Sequence, residues 1–86
     1  MDNAQAEHMI QYLKTKVLRK RDLQIDLDTA LVSSGMVDSF ALVDTLLELE
    51  KVTNRRIPAM SVQPDDMDTV RSMFETAERV GEPRKA

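Results

Sequence analysis

Residues 34–43, Ser-Gly-Met-Val-Asp-Ser-Phe-Ala-Leu-Val, decide how the rest of this chain is arranged. Ser34-Gly35 predicts a turn, and the apolar pair Met36-Val37 follows it. Next come an acid, Asp38, a hydroxyl, Ser39, and an uninterrupted apolar start to a helix. We therefore expect Ser39 at an exposed helix N-terminus, where the first backbone amides have no partner within the helix.

The same segment resembles the prosthetic-group site of the acyl and peptidyl carrier protein family. The family pattern is Gly-x-x-Asp-Ser followed by an apolar residue, and it reads Gly35-Met36-Val37-Asp38-Ser39-Phe40 in this chain. The resemblance covers roughly residues 5–80. It implies that Ser39 carries a 4′-phosphopantetheine arm, added from coenzyme A by a phosphopantetheinyl transferase. The thiol of the arm then holds an acyl or aminoacyl group as a thioester.

The resemblance also implies a set of partner enzymes and the residues that contact them. Asp38 contacts the transferase, while Phe40, Asp44 and Glu48 lie on the helix that partner enzymes read. An adenylating acyl or aminoacyl ligase loads the arm, and a downstream acyltransferase, synthase or tailoring enzyme consumes the cargo. Phe40, at a position where fatty-acid carriers usually have leucine, favours aminoacyl carriers, including D-alanyl carriers, or specialised acyl carriers of secondary metabolism.

The hydrophobic pattern predicts one all-α domain over residues 1–86 with three main helices and one short helix. The resemblance implies that these helices form an acyl-carrier-protein-like four-helix bundle. Main helices are expected over 1–19, 39–53 and 68–80, and a short helix or turn over 61–67. The tail 81–86 is expected to be loose. The first and last helices have apolar stripes at helical spacing: Ala6, Met9, Ile10, Leu13 and Val17, and Val70, Met73, Phe74, Ala77 and Val80.

Residues 20–38 predict a long ordered loop. Leu23, Ile25 and Leu27 alternate with polar residues as a strand would, but no second strand is predicted, so no sheet is expected. The loop is expected to place these side chains and Leu31 against the helices. A loop of this length in a small domain is often functional.

Several side chains are assigned to helix caps or to the core. Asp2 or Asn3 is expected to cap the first helix, Asp38 or Ser39 the second and Asp68 the last. Ser61 or Gln63 is expected to open the short element, with Pro64 in its first turn. In the second helix, Leu42, Val43, Leu46 and Leu47 are expected in the core, whereas Phe40 is expected to be more open.

Composition excludes several function classes. The chain has no cysteine and a single histidine, His8, which opposes a cysteine nucleophile, a histidine-based triad and a thiolate or multi-histidine metal site. We therefore expect a carrier rather than an enzyme, because Ser39 has no base nearby in sequence except Asp38. A net charge of −3 opposes nucleic acid as the main partner. The chain has no apolar run of membrane-spanning length, which favours a monomeric cytoplasmic protein over an integral membrane protein.

The acids concentrate in the centre of the chain. Residues 22–50 contain seven acids and no Lys or Arg, which predicts an acidic surface around Ser39 that attracts basic partners. Two simpler interpretations stay open. The acids can form a solvated face, and Ser39 can be an ordinary N-cap of a helical protein-interaction module that carries no prosthetic group.

Overall fold

The computed structural model describes residues 3–83, and helical segments, three of them α-helices, make up more than half of that part of the chain. Helix α1 spans Asn3–Tyr12 and continues as a π-helical segment, Leu13–Val17. Helix α2 spans Ser39–Thr53, and helix α3 spans Val70–Val80. The three main helices are therefore confirmed, although the first and the last are shorter than predicted. The carrier-type four-helix bundle stays a prediction.

Two 3₁₀ turns occupy the place of the expected short helix. The first spans Ala59–Ser61 and the second Pro64–Met67. Gln63 opens the second turn, and its side chain and that of Asp66 each accept a hydrogen bond from the other residue's backbone amide. Proline in the first turn and Gln63 as its opening residue were both predicted.

A small antiparallel sheet corrects the prediction of an all-α fold without a sheet. Strand β1, Arg55–Arg56, pairs with strand β2, Glu82–Pro83. Asn54 closes α2 in the left-handed conformation, at a φ of 54°, and this turns the chain into an extended segment beside the C-terminus. The prediction of a loose tail is thus wrong for residues 82–83, while residues 84–86 lie outside the described part.

The core forms where the three helices meet. The stripes of α1 and α3 supply most of it, as predicted, with Ile10, Val17 and Val80 packed at its edge. Leu31 and Val37 reach the same core from the loop and Leu49 from α2, so the segment before Ser39 is anchored by apolar contacts. The fully or nearly fully buried apolar side chains are Ala6, Met9, Leu13, Leu31, Val37, Leu49, Ile57, Met67, Val70, Met73, Phe74 and Ala77.

Helix α2 presents part of its apolar surface to solvent, which corrects the core assignment for two residues. The side chains of Val43 and Leu47 are 60% and 51% exposed, while those of Leu42 and Leu46 are partly buried against the core. The inward side of α2 also includes Thr45, which is fully buried. Its hydroxyl is satisfied there because it donates to the carbonyl of Ala41 at 2.7 Å. The apolar surface of α2 is therefore larger than the part that packs against the core.

The caps agree with prediction at α2 and differ at α3. Asp38 caps α2, as expected. Thr69 caps α3, because its hydroxyl accepts from the Ser72 amide at 3.0 Å, and the assignment of Asp68 as cap is wrong. Asp2, one of the two residues proposed to cap α1, lies outside the described residues.

The loop over residues 20–38 contains no regular helix or strand, as predicted, and Asp68 fastens it to the start of α3. One carboxylate oxygen of Asp68 accepts from the amides of Leu31, Val32 and Ser33 at 3.1, 2.8 and 2.9 Å. The other oxygen accepts from the Ser33 hydroxyl at 2.9 Å. We call this arrangement the Asp68 clasp.

An ion pair reinforces the clasp one turn away. The guanidinium of Arg71 donates to both carboxylate oxygens of Asp28, at 2.7 and 3.2 Å, and the Arg71 amide donates to the carbonyl of Leu27 at 3.0 Å. The hydrogen bonds from Arg71 lower the pKa of Asp28. The Ser33 amide is the main cause of the lowered pKa of Asp68, with further donation from the Ser33 hydroxyl and the amides of Val32 and Leu31.

These two lowered pKa values predict how the clasp responds to acid. A carboxyl whose pKa is lowered by folding stabilises the fold above its unfolded pKa, here about 3.8, and loses that contribution as the pH falls through the folded value. The difference in unfolding free energy between the native chain and Asp68→Asn should therefore be constant from pH 7 to 5, begin to shrink near pH 3.8, and be lost as the pH falls through the lower folded pKa. Urea titrations across this range measure it. A difference that grows in acid would contradict the clasp.

Candidate functional site

Asp38 and Ser39 form the N-terminus of α2, and the structure gives them different tasks. Asp38 has extended backbone angles, and its carboxylate accepts from the Ala41 amide at 2.9 Å. Its carbonyl accepts from the Leu42 amide at 3.0 Å. Ser39 is the first helical residue and is exposed, and its hydroxyl has no hydrogen-bond partner within residues 3–83. Ser39 is therefore not the cap, and its hydroxyl makes no hydrogen bond that would stabilise the described fold.

The turn before these residues is built around Gly35. Its φ is +82°, a left-handed value that suits glycine, and its amide donates to the carbonyl of Val32 at 3.0 Å. The amide of Val37 then donates to the carbonyl of Leu31 at 2.9 Å, and the Val37 side chain is buried. Ser39 thus follows a turn that is closed by hydrogen bonds and an anchored side chain, so its position is well defined.

Four large apolar side chains are exposed, three along α2 and one in the first 3₁₀ turn, and we call them the apolar face: Phe40, Val43, Leu47 and Met60. Phe40 is 87% exposed and Met60, in the first 3₁₀ turn, is 97% exposed. The expectation that Phe40 is open agrees with this exposure. Exposed apolar residues on their own are ordinary, but a row along one helix is typical of a surface that another protein covers.

An apolar groove runs between α2 and the two 3₁₀ turns, with a volume of about 160 Å³. Its walls include Leu42 and Leu46 of α2, and Val62 and Met67 on the opposite side. Val43 belongs both to the groove and to the apolar face. The groove therefore continues the exposed apolar surface of α2 toward the core.

Asp44 and Glu48, predicted as partner contacts, are not equally available. The Asp44 carboxylate is exposed and has no partner among the described residues, although its backbone carbonyl accepts from the Tyr12 hydroxyl at 3.4 Å. Oε2 of Glu48 lies 2.6 Å from Nε2 of His8, and only 17% of the Glu48 side chain is exposed. Glu48 joins α2 to α1, so Asp44 is the better candidate for contact with a basic partner.

The seam between α1 and α2 is more polar than the sequence indicated. Besides the contact of His8 with Glu48, Nε2 of Gln5 donates to the carbonyl of Val52 at 3.0 Å. Burial, with the nearby carboxylates of Asp44 and Glu48, raises the pKa of the Tyr12 phenol. His8 and Tyr12 therefore both contact the helix that starts at Ser39.

Several of the acids in residues 22–50 form ion pairs or accept hydrogen bonds within the described chain. Asp28 pairs with Arg71, and Oε2 of Glu50 accepts from the Ile57 amide at 2.8 Å. Asp26 accepts from the amide of Asp28 at 2.8 Å and from the Thr29 hydroxyl. The acidic surface near Ser39 is therefore narrower than the charge count suggests, and Asp44 is its main exposed acid on α2.

Sequence reasoning missed Met60 and Asp68 as important residues. Met60 lies between a proline-containing break and a serine, and nothing in its local pattern separates an exposed methionine from a buried one. Asp68 stands next to the true cap, Thr69, and looks like a cap itself. Its actual ligands are amides more than thirty residues earlier in the chain, so only the tertiary fold reveals them.

The described part of the chain has no helix that combines the length and apolar character needed to cross a membrane. Comparison of the chain with protein-family models, curated proteins and solved structures gives no match.

Proposed function

We propose that this chain is a carrier protein that holds acyl or aminoacyl intermediates on a 4′-phosphopantetheine arm attached to Ser39. The observation that carries the proposal is the exposed Ser39 hydroxyl, which has no partner in residues 3–83 and directly follows the capping residue Asp38. The sequence Gly35-Met36-Val37-Asp38-Ser39 at this position is similar to the carrier family pattern. The arm supplies a thiol on a long flexible tether, on which cargo is held as a thioester.

The residues around Ser39 fit a phosphodiester at this oxygen. The backbone amides of Ser39 and Phe40, at the start of α2, donate no hydrogen bond within the described chain. The Ala41 amide donates to the Asp38 carboxylate. Free amides and the helix dipole favour an anion at this end of a helix. Asp38 directs its carboxylate into the capping bond, which moderates its repulsion of a neighbouring phosphate.

No base within residues 3–83 is hydrogen-bonded to the Ser39 hydroxyl, and we take Ser39 to be a substrate of another enzyme. The only histidine, His8, is engaged with Glu48 on the seam between α1 and α2. A serine hydroxyl is a weak nucleophile without an adjacent base. The base that removes the serine proton is therefore expected to belong to the phosphopantetheinyl transferase, and the chain contributes an accessible, positioned hydroxyl.

Intact mass tests the proposal directly. The chain is incubated with coenzyme A and a broad-specificity phosphopantetheinyl transferase, and the expected result is a gain of one phosphopantetheinyl group. The loaded protein is then offered to adenylating ligases with amino acids and with fatty acids, which separates aminoacyl from acyl cargo. A folded chain that gains no mass with any transferase, including one from the same source, would refute the carrier function.

A second candidate function is an unmodified helical interaction module, and the apolar face favours it. Phe40, Val43, Leu47 and Met60 offer an exposed surface whether or not Ser39 is modified. Both functions use α2 for binding, and they differ in whether Ser39 carries the phosphopantetheine arm. A chain that binds a partner through this face but is never modified would establish the second function.

Asp44 offers a test of partner recognition. Asp44→Lys should slow transfer reactions with basic partners about threefold to tenfold at low salt and weaken their salt dependence, because exposed charges mainly set association rates. Rate constants at several salt concentrations measure the effect. Glu75→Lys, the same charge change on an exposed position of α3, is the matched control. Equal slowing by both substitutions would show that net charge, rather than this position, is responsible.

A further inference from the structure

A second charged surface lies just after the C-terminal end of α1. Residues 14–21 contain five basic residues and no acid, in a chain whose net charge is −3. None of the five has an ion-pair partner within residues 3–83, although acids elsewhere are paired. We call this set the basic cap: Lys14, Lys16, Arg19, Lys20 and Arg21.

The backbone gathers these side chains at one place. After the π-helical segment the chain folds back, and the Lys20 amide donates to the carbonyl of Lys14 at 2.8 Å. The amide of Leu18 donates to the carbonyl of Leu13 at 2.7 Å, which holds the preceding turn. Charges that would be spread along an extended segment are therefore held on one compact turn.

Arg19 shows that charge is kept at a cost to the backbone. Its φ is 54°, the left-handed conformation that helix ends normally give to glycine or asparagine. A residue that carries a Cβ is strained there, and such strain concentrates at functional sites. The helix dipole explains one or two cations at a helix end, but it does not require five, nor an arginine at this position.

The basic cap borders a cleft of about 340 Å³ whose lining is partly apolar and partly polar. Val17, Leu18 and Leu23 form one side, and Met36 with Gly35 forms the other, while Lys20 lines the cleft as well. The apolar walls are partly buried rather than protruding, so they suit an inserted side chain better than insertion into a lipid layer. Gly35 also belongs to the turn that positions Ser39.

We propose that the basic cap and this cleft form a docking site for an acidic segment of a partner protein that carries an apolar anchor side chain. Acidic side chains of the segment pair with the cations, and the anchor occupies the cleft between α1 and the turn at Gly35. Charge complementarity sets the partner class, because the unpaired cations lie beside a partly apolar cleft that is large enough to take a side chain. The site is independent of any modification of Ser39.

Fluorescence anisotropy with a labelled peptide, Glu-Glu-Glu-Leu-Leu-Glu-Glu-Glu, tests the site on the full chain. Saturable binding is expected at about 50 mM salt, weakened severalfold at about 300 mM because exposed charges are screened. A peptide with both leucines replaced by serine, which keeps the charge unchanged, should bind more weakly, because it lacks the anchor. Amide chemical-shift changes should centre on residues 14–23 and 35–36 in the native chain and in Ser39→Ala alike.

Two variants separate binding from folding. Lys20→Glu should weaken binding about threefold to tenfold, since it replaces attraction by repulsion at an exposed site, whereas Arg56→Glu, an equal charge change on β1, should leave it nearly unchanged. Arg19→Gly should also weaken binding while the melting temperature holds or rises, because glycine relieves the left-handed strain. A merely structural basic cap would instead leave binding unaltered in Arg19→Gly.

Three outcomes would overturn the proposal. These are no saturable peptide binding at low salt, equal losses in Lys20→Glu and Arg56→Glu, or shift changes centred outside the basic cap. Vesicles containing phosphatidylserine and a short DNA duplex are titrated in parallel. Stronger binding of either one at the same residues would assign the surface to a lipid or nucleic acid partner instead of an acidic protein segment.

Discussion

Replacement of Ser39 by alanine should abolish gain of the phosphopantetheinyl group and leave the fold intact. Ser39 supplies the oxygen to which we assign the arm, and alanine has none. The structure explains why the fold should survive, since Asp38 rather than Ser39 caps α2, and the Ser39 side chain has no hydrogen bond in the described chain. Alanine is also a better helix former than serine, so the unfolding free energy should change by about 0.5 kcal/mol or less.

Intact mass and circular dichroism measure the two halves of this prediction. Ser61→Ala is the matched control, because Ser61 is an exposed serine in a 3₁₀ turn on the other side of the groove. It should load as the native chain does. Mass gain in Ser39→Ala would show that another hydroxyl is the site. Loss of loading in both variants would show that the assay reports the surface around the groove rather than the attachment oxygen.

Replacement of Asp68 by alanine should produce the largest loss of stability among the polar residues of this chain. The substitution leaves the amides of Val32 and Ser33 without their acceptor, while the Leu31 amide keeps its hydrogen bond to the backbone carbonyl of residue 68 at 2.8 Å. Hydrogen bonds to a charged group are strong, and unpaired amides are costly where they are shielded from water, so we expect a loss of about 2 to 4 kcal/mol. That is a large share of the roughly 5 to 15 kcal/mol that holds a typical domain together.

Urea titration and thermal melting measure the effect of Asp68→Ala. The melting temperature should fall by about 10 to 20 °C for a domain of this size. Asp65→Ala is the matched control: its exposed side chain has no bond to the described residues, so the change should stay within about 0.5 kcal/mol. Equal stability of Asp68→Ala and Asp65→Ala would mean that water replaces the clasp without loss.

The clasp also links stability to the site. Leu31 and Ser33 precede the turn at Gly35, and the Leu31 carbonyl accepts a hydrogen bond from the Val37 amide. Loosening this part of the loop should therefore disorder the approach to Ser39 before it unfolds the helices. Slower loading of Asp68→Ala at temperatures well below its melting transition would report that loosening.

Local patterns in the sequence were sufficient for the helices and for the position of Ser39. Apolar spacing predicted the buried stripes of α1 and α3, and the sequence Asp-Ser before an apolar run predicted the start of α2 with Asp38 as a cap. These features depend on residues within one or two turns of each other. Such short-range patterns are the ones that a sequence displays directly.

The small sheet, the clasp and the exposure of α2 required the tertiary structure. Strand β1, at residues 55–56, pairs with residues 82–83, and Asp68 binds amides of a loop that lies far earlier in the sequence. Neither pairing therefore leaves a local signal. Val43 and Leu47 share the apolar character of Leu42 and Leu46, and packing alone decides which side faces water. Sequence thus determined the helices and the placement of Ser39, because those rest on neighbouring residues. Tertiary structure decided which polar and apolar groups remain available, because that depends on what the rest of the chain covers.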